Sequence, residues 1–96
     1  MSSSGDLIKV SATSRPSLVA GSIAKAVRAR GSAEMQAIGA PAVHQAVKAL
    51  AIAVTYLKKD GISIGFVPQF NSGVVENGQT LTAIRFVVRI IDPPPG

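Results

Sequence analysis

Two strand-like segments of this chain are each followed closely by a proline, and this repeated arrangement constrains the fold more than any other feature. Leu7 to Ala12 alternates between apolar and polar residues, as expected of a half-buried strand. Pro16 follows, and proline is favoured at the first position of a helix because its fixed φ is already helical. A helical pattern then continues to Gly31, a residue that readily adopts the left-handed conformation at a helix end. The sequence therefore predicts a strand, a turn and a helix.

The second unit repeats this arrangement with a longer helix. Ala33 to Ile38 is predicted to form a short strand, and Gly39-Ala40-Pro41 leads into a helix that extends to about Lys59. Large apolar residues recur along this helix at spacings of three and four, which predicts that they form its buried face. These residues are Val43, Val47, Leu50, Val54 and Leu57.

After residue 60 the helical period gives way to the two-residue alternation that is typical of strands. Ile62 to Val67 alternates, and Pro68 is expected at an end or an edge of its strand because it cannot donate a ladder hydrogen bond. Asn71 to Gln79 is interpreted as a long connection that contains the tight-turn pair Asn77-Gly78. Thr82 to Ile90 is predicted to form the last strand.

Together these segments predict an α+β two-layer sandwich with the element order β-α-β-α-β-β. Right-handed crossovers place the two helices on one face of a mixed four-stranded sheet, and the last strand is expected to be antiparallel to the others and paired with the third. Residues 6–91 form the single domain, with a flexible tail at 1–5 and a proline-rich tail at 92–96. Five side chains are expected to be almost inaccessible to solvent. They are Val47, Leu50, Val54, Ile84 and Phe86.

The composition limits the chemistry that this domain can perform. The chain of 96 residues has no cysteine and one histidine, and none of its five acidic residues is close to His44 in sequence. Neither a catalytic triad nor a metal site is therefore supported. We expect a protein that is not an enzyme and that has no cofactor, metal or small-molecule substrate. The lack of a leader pattern and of about 20 consecutive apolar residues predicts a cytoplasmic protein with no membrane partner.

The net charge of +5 permits an acidic partner, and the two helix starts offer a place for it. The carboxyl ends of parallel strands meet at one edge of a sheet, so both helix N-termini should open at that edge, where N–H groups and dipoles favour phosphate. Helix capping would account for the hydroxyl groups there, but not for Arg15, a cation at the positive end of a dipole. The residues predicted to contact phosphate are Thr13, Ser14, Arg15, Ser17, Lys25, Arg28, Gly39, Ala40 and His44.

A second surface is predicted on the long helix, opposite its expected core face. Ile52 and Tyr56 are large apolar groups where a monomer would favour charge, although isolated apolar residues are also common on surfaces. We therefore expect a homodimer or a larger homo-oligomer. The residues predicted for the contact are Gln45, Lys48, Ile52 and Tyr56 on the helix and Val87 on the helix-free face of the sheet.

The segments Gln36-Ala37-Ile38-Gly39-Ala40 and Gln45-Ala46-Val47-Lys48-Ala49 form the most specific pattern in the sequence. With other segments across roughly residues 7–90, they resemble the bacterial stage V sporulation protein S family. This resemblance implies a small, basic, cytoplasmic protein that affects sporulation and septation, with a fold like that of the archaeal chromatin protein Alba. Alba-like proteins are dimers that bind DNA or RNA through the loop entering the first helix and through a basic hairpin arm.

The chain matches only part of the Alba-like pattern. Arg15-Pro16 fits the contact at the first helix, but no Lys or Arg lies between Lys59 and Arg85, so the expected arm carries only the acidic Glu76. Alba's arginines near the second helix are also replaced, by Ile38 and Ala40. The resemblance and these departures together predict binding of the phosphate backbone with little sequence specificity.

Two interpretations of function follow from the sequence. The first is a non-enzymatic, nucleic-acid-binding regulatory protein of the stage V sporulation protein S type. The alternative is a self-assembling or protein-binding module without a direct nucleic-acid role. Positive charge concentrated around Arg15, Lys25 and Arg28 would favour the first, whereas an exposed stripe of Ile52 and Tyr56 would favour the second.

Overall fold

The computed structural model describes residues 7–91, and in this range it contains two helices and four strands in the predicted order. The elements are β1 (Leu7–Val10), α1 (Pro16–Arg30), β2 (Ser32–Ile38), α2 (Ala40–Lys58), β3 (Ile64–Glu76) and β4 (Gln79–Ile90). The predicted α+β two-layer sandwich is confirmed. The predicted tails at 1–5 and 92–96 lie outside the described residues. Neither helix in the described range combines the length and the apolar character that a membrane span requires.

Both helices begin at the predicted prolines. Pro16 is the first residue of α1, and Pro41 is the second residue of α2. At the other end of α1, Gly31 has a φ of 80°, the predicted left-handed conformation. The N–H of Gly31 donates to the carbonyl oxygen of Val27 at 2.8 Å. Local backbone chemistry therefore determines where these helices start and where α1 stops.

The four strands form one mixed sheet in the order β1-β2-β4-β3. β1 and β2 are parallel neighbours, and β4 is antiparallel to both β2 and β3. This arrangement confirms that the last strand is antiparallel to the others and paired with the third. Because β1 and β2 run in the same direction, α1 and α2 both start at the edge where these two strands end.

The β3–β4 hairpin is longer than predicted. The segment interpreted as a connection, Asn71 to Gln79, is mostly strand, and only Asn77 and Gly78 form the turn, with φ values of 52° and 77°. Positive φ at both positions is what a two-residue type I′ turn requires. A register shift between Asn71 and Val74 interrupts the two-residue alternation that would have revealed the strand. Pro68 lies within β3, an edge strand, so its predicted edge position is confirmed.

The buried face of α2 consists mostly of alanine, which corrects the predicted orientation of this helix. Val47 and Val54 are 46% and 44% exposed, although both were expected in the core. The buried residues are Ala42, Ala46, Ala49, Leu50, Ala53 and Leu57. At 100° per residue, the observed core face is rotated by roughly 70° from the predicted one. Alanine allows the helix to approach its neighbours closely, and the distance between packed elements depends on the side chains at the contact.

The helices do not cover the whole sheet. They pack over β1 and β2, and β4 contributes the buried side chains of Phe86 and Val88 to the same core. Phe86 is therefore buried as predicted, whereas Ile84 is only partly buried. β3 lies beyond β4, so Phe66 and Phe70 on its helix-facing side remain 41% and 83% exposed.

Candidate nucleic-acid interface

The turn between β1 and α1 is held by hydrogen bonds among its own hydroxyl groups. The Oγ of Ser11 lies 3.2 Å from both Thr13 Oγ1 and Ser14 Oγ, and the N–H of Ser11 donates to Ser14 Oγ at 2.8 Å. None of these hydroxyls caps α1, which has no side-chain hydrogen bond at its N-cap residue, Arg15. Helix capping, the ordinary explanation for hydroxyl groups at this position, therefore does not apply.

A side-chain bond joins this turn to the second helix. The Nε2 of Gln45, in the N-terminal half of α2, donates to the carbonyl oxygen of Ser14 at 2.8 Å in a partly buried position. The structure thus brings the two helix starts together at one edge of the sheet, as the parallel arrangement predicted. Gln45 had been predicted to lie in an oligomer contact, but its amide is used within the chain because α2 turns this flank toward the β1–α1 turn.

The start of α2 depends on a glycine backbone. Gly39, its N-cap residue, has φ 89° and ψ 155°, a conformation that residues with a Cβ rarely adopt. Its carbonyl oxygen accepts the helical bond from the N–H of Val43 at 3.1 Å. Neither α1 nor α2 has an acidic residue in its first turn, and neither has a side-chain cap. The positive ends of both dipoles are thus left without a negative side chain from the first turn of either helix.

Two cations lie close in sequence to this turn. Arg15 is exposed at the start of α1 and forms no ion pair with any side chain that the structure describes. Lys9 is exposed on β1 and lines a shallow depression, about 260 Å³ in volume, together with Ser11 and Gln36. Ser11 was not among the predicted contact residues. Its position at the carboxyl end of the first strand was the signal that could have identified it.

Seven of the predicted phosphate contacts lie at this edge. All are exposed except Ser14, which is partly exposed. These residues are Thr13, Ser14, Arg15, Ser17, Gly39, Ala40 and His44. The edge therefore presents backbone N–H groups, hydroxyl groups, one imidazole and a guanidinium on a continuous stretch of the molecule.

The other two predicted contacts, Lys25 and Arg28, lie farther along α1. At 1.5 Å per residue they are about 15 Å and 20 Å from Arg15 along the helix axis. Arg28 is also engaged, because its Nε lies 2.6 Å from Asp60 Oδ2 and its Nη2 donates to the carbonyl oxygen of Tyr56 at 3.3 Å. The positive charge is thus spread along α1, and that of Arg28 is partly neutralised.

The exposed stripe predicted on α2 is not present. Ile52 and Tyr56 are partly buried and pack against the core on the flank that faces α1. Lys48 is exposed, and Val87 is partly buried on the helix-free face of the sheet. The rotation of α2 that exposes Val47 and Val54 is also what draws Ile52 and Tyr56 inward.

The helix-free face carries a polar network, and Lys9 lies on this face too because it pairs with Gln36 in the sheet. Arg85 pairs with Glu34 at 2.9 Å, and the Nδ2 of Asn71 donates to Gln36 Oε1 at 2.8 Å. Arg89, by contrast, is exposed and lies opposite Ser32. Ser32 is the first residue of β2. Arg89 therefore lies at the end of the strands opposite to the end at which the two helices start.

The comparison with known families agrees with the resemblance found in the sequence. The family described as Stage V sporulation protein S (SpoVS) has a model that matches residues 6–91. The match therefore spans both helix starts, the Gln45–Ser14 contact and the whole hairpin. Among the side chains that the structure describes, no three from His, Cys, Asp or Glu are grouped so that they could hold a metal ion.

Proposed function

The chain belongs to the stage V sporulation protein S family, and on this premise we propose that it is a non-enzymatic regulator that binds the phosphate backbone of DNA or RNA. It performs this role in the cytoplasm. Family membership makes it a sporulation-related protein. The proposal adds the chemistry through which such a regulator contacts its target.

One observation carries the proposal: two helix starts without side-chain caps are joined side by side by the Gln45–Ser14 hydrogen bond, with Arg15 exposed between strand and helix. A helix N-terminus favours an anion because its N–H groups lack partners and its dipole end is positive. A cation here is unfavourable for the isolated protein, but it becomes favourable when a phosphate lies next to both Arg15 and the helix start.

The second line of support is the chemistry that this edge offers. Lys9 and Arg15 supply charge, whereas the hydroxyls of Thr13 and Ser17 and the backbone at Gly39 supply neutral donors. Such groups contact phosphate and sugar and carry no sequence information by themselves. The proposed binding is therefore largely independent of sequence.

The test is a salt titration of binding to random-sequence duplex DNA and to random-sequence RNA, followed by fluorescence anisotropy. Each phosphate neutralised contributes about 0.9 to the slope of log affinity against log salt on duplex DNA. With Lys9 and Arg15 as the principal cations, we expect a slope of about −2 for each bound chain.

A charge-reversal pair locates the site. Arg15→Glu removes a cation at the helix starts, whereas Arg89→Glu makes the same charge change at the opposite edge of the sheet. We expect Arg15→Glu to weaken binding at least about tenfold and Arg89→Glu less than about threefold, because only the first alters a phosphate contact. Equal losses would contradict a localised site.

The alternative function predicts a different result. A self-assembling or protein-binding module without a nucleic-acid role would show no binding to either nucleic acid even at about 20 mM salt, where electrostatic binding is strongest. That outcome would overturn the proposed function and leave the fold and the family assignment unchanged.

A further inference from the structure

The outer edge of β1 is open. β1 pairs with β2 alone, so it forms one edge of the sheet. In a parallel pair, alternate residues direct their N–H and C=O groups toward the neighbouring strand, and the remaining groups of Leu7–Val10 therefore point outward. Among the hydrogen bonds of the described residues, none outside the sheet involves the backbone of this strand. An edge of this kind is a template onto which a further strand can be added.

A groove lies beside this edge, between β1 and α1. Ala26, in its lining, and Arg28 are on opposite flanks of α1 at 100° per residue, and Arg28 contacts α2. The groove is therefore on the outer side of the molecule, away from α2. It has a volume of about 240 Å³ and is lined by Ile8 from β1 and by Ser22, Lys25, Ala26, Ala29 and Arg30 from α1.

Two cations in this groove are not neutralised by the fold. Lys25 and Arg30 are exposed, and the ion pairs among the described side chains are formed by other residues. The lining contains no acidic side chain, and apart from the Ser22 hydroxyl its other residues are apolar. The groove therefore combines an apolar surface with two positive charges that a negatively charged partner would complement.

The spacing of these charges fits an extended acidic peptide. Lys25 and Arg30 are about 7.5 Å apart along the axis of α1. In a strand, side chains two positions apart lie on the same face and are separated by about 7 Å. Two acidic residues with one residue between them therefore match the two cations, and an apolar residue on the same face contacts Ile8. In strand addition, the main-chain hydrogen bonds supply affinity and alternate side chains supply specificity.

Other occupants fit this surface less well. A lysine on an edge strand discourages pairing between two copies of a protein, and β1 carries the exposed Lys9. Pairing two β1 edges would also bring the cations of two basic chains together. A nucleic acid supplies negative charge, but it has no strand of N–H and C=O groups to pair with the open backbone of β1.

We propose that the β1 edge and the adjoining groove bind an extended acidic segment of another protein, which adds a strand to the sheet beside β1. Of the residues named above for phosphate binding, only Lys25 belongs to this surface. Arg30 is about 22 Å from Arg15 along the helix axis. The inference therefore does not depend on nucleic-acid binding.

The test measures binding of a short fluorescent peptide to the whole chain by fluorescence anisotropy. The peptide is Thr-Val-Thr-Glu-Thr-Glu-Thr, blocked at both ends, and its valine and glutamates share one face when it is extended. A control peptide has glutamine in place of both glutamates, which keeps the shape and removes the charge. Two further peptides carry N-methyl groups, one on the valine and the glutamates and the other on the threonines. Only one of these two sets of N–H groups can face β1, and which one depends on the direction of the added strand.

We expect saturable binding of the parent peptide below about 1 mM. The glutamine peptide should bind about fivefold or more weakly, because it lacks both carboxylates. One of the N-methylated peptides should lose about tenfold or more in affinity, since its ladder hydrogen bonds to β1 cannot form, and the other should stay within about threefold.

Charge reversal in the protein locates the site. Lys25→Glu and Arg30→Glu should each weaken binding of the parent peptide about fivefold or more. Lys48→Glu is the matched control, because Lys48 is exposed on α2, outside the groove, and its effect should stay within about threefold. Circular dichroism establishes that each variant retains its helix content. In the DNA-binding assay, Arg30→Glu should change the affinity by less than about threefold.

Five results would overturn the proposal. Absence of saturable binding up to about 1 mM peptide would show that the edge is closed to added strands. Equal affinities of the glutamate and glutamine peptides would exclude the role of charge, and parent-like affinity of both N-methylated peptides would exclude strand addition. A loss from Lys48→Glu equal to that from Arg30→Glu would indicate a general effect of net charge. Equal losses of peptide and DNA affinity from Arg30→Glu would make the groove a general surface for anions, including nucleic acid.

Discussion

The side-chain amide of Gln45 donates a 2.8 Å hydrogen bond to the backbone carbonyl of Ser14, 31 residues away in sequence. This bond connects the second helix to the turn that precedes the first, so the relative position of the two helix starts depends on it directly. A change at Gln45 should therefore affect stability and nucleic-acid binding together.

Gln45→Met tests this connection with a side chain of similar length and no donor. Removing one partner of a partly buried hydrogen bond should lower the free energy of unfolding by about 1 kcal/mol, measured by urea denaturation. Nucleic-acid affinity should also fall, because the turn loses its contact with α2. Lys48→Met is the control: Lys48 is exposed on the same helix, and the expected change is within about 0.5 kcal/mol. Equal effects of the two substitutions would contradict this role for Gln45.

Glycine-to-alanine substitutions at two positions should change the free energy of unfolding in opposite directions. Gly39→Ala forces a Cβ into a conformation with φ 89°, and we expect the free energy of unfolding to fall by about 1–3 kcal/mol. Gly21→Ala lies inside α1, where an added Cβ would meet nothing within 4 Å. Alanine is the better helix former, so this variant should be more stable by up to about 1 kcal/mol. Thermal unfolding of both variants shows whether each substitution raises or lowers stability. A Gly39→Ala variant that is more stable than the unmodified chain would refute the requirement for glycine at the start of α2.

The Arg28–Asp60 pair should contribute little to stability. Its side chains are 48% and 41% exposed, so water and salt screen the attraction. A double-mutant cycle with Arg28→Ala and Asp60→Ala should give a coupling energy below about 1 kcal/mol that decreases as salt is added. In the binding assay, Arg28→Ala should weaken nucleic-acid binding less than Lys25→Ala, because Asp60 already neutralises much of the Arg28 charge. A larger loss of affinity from Arg28→Ala than from Lys25→Ala would indicate that Arg28 does contact phosphate.

The parts of the fold that depend on local backbone chemistry were predictable from the sequence. Pro16 and Pro41 mark helix starts, and Gly31 marks a helix end, because each residue type restricts or permits a particular φ. Alternation identified β4, whose residues Phe86 and Val88 are buried. The hairpin turn at Asn77-Gly78 was likewise identifiable, although the full length of β3 was not, since the register shift after Asn71 breaks its alternation.

The orientation of α2 was not predictable in the same way. The helix carries both a stripe of valine and leucine and a stripe of alanine, and the two lie side by side on its surface. Choosing the larger residues for the core maximises buried apolar area, but it ignores how close the helix must lie to α1 and the sheet. The observed core on α1 includes Ala20 and Ala24, so both helices bury small residues. Close packing, which no single segment reveals, decided between the stripes.

In the candidate site, too, the features set by local sequence were predictable and the long-range contacts were not. Arg15 and the helix starts could be placed from sequence, since they follow from strand direction and from proline positions. The Gln45–Ser14 bond and the Arg28–Asp60 pair could not, because each joins residues more than 30 positions apart. Those contacts decide which predicted cations remain available to a phosphate and which are used within the fold.

The alanine face of α2 leads to the last prediction. Ala49 is fully buried, so Ala49→Leu would insert a larger side chain where the helix contacts its neighbours. Overpacking of this kind should lower the free energy of unfolding by about 1–3 kcal/mol. Ala29→Leu, the same substitution at an exposed position of α1, should change it by no more than about 0.5 kcal/mol. Urea denaturation of the two variants distinguishes the possible orientations, because a neutral Ala49→Leu would mean that the valine stripe faces the core after all.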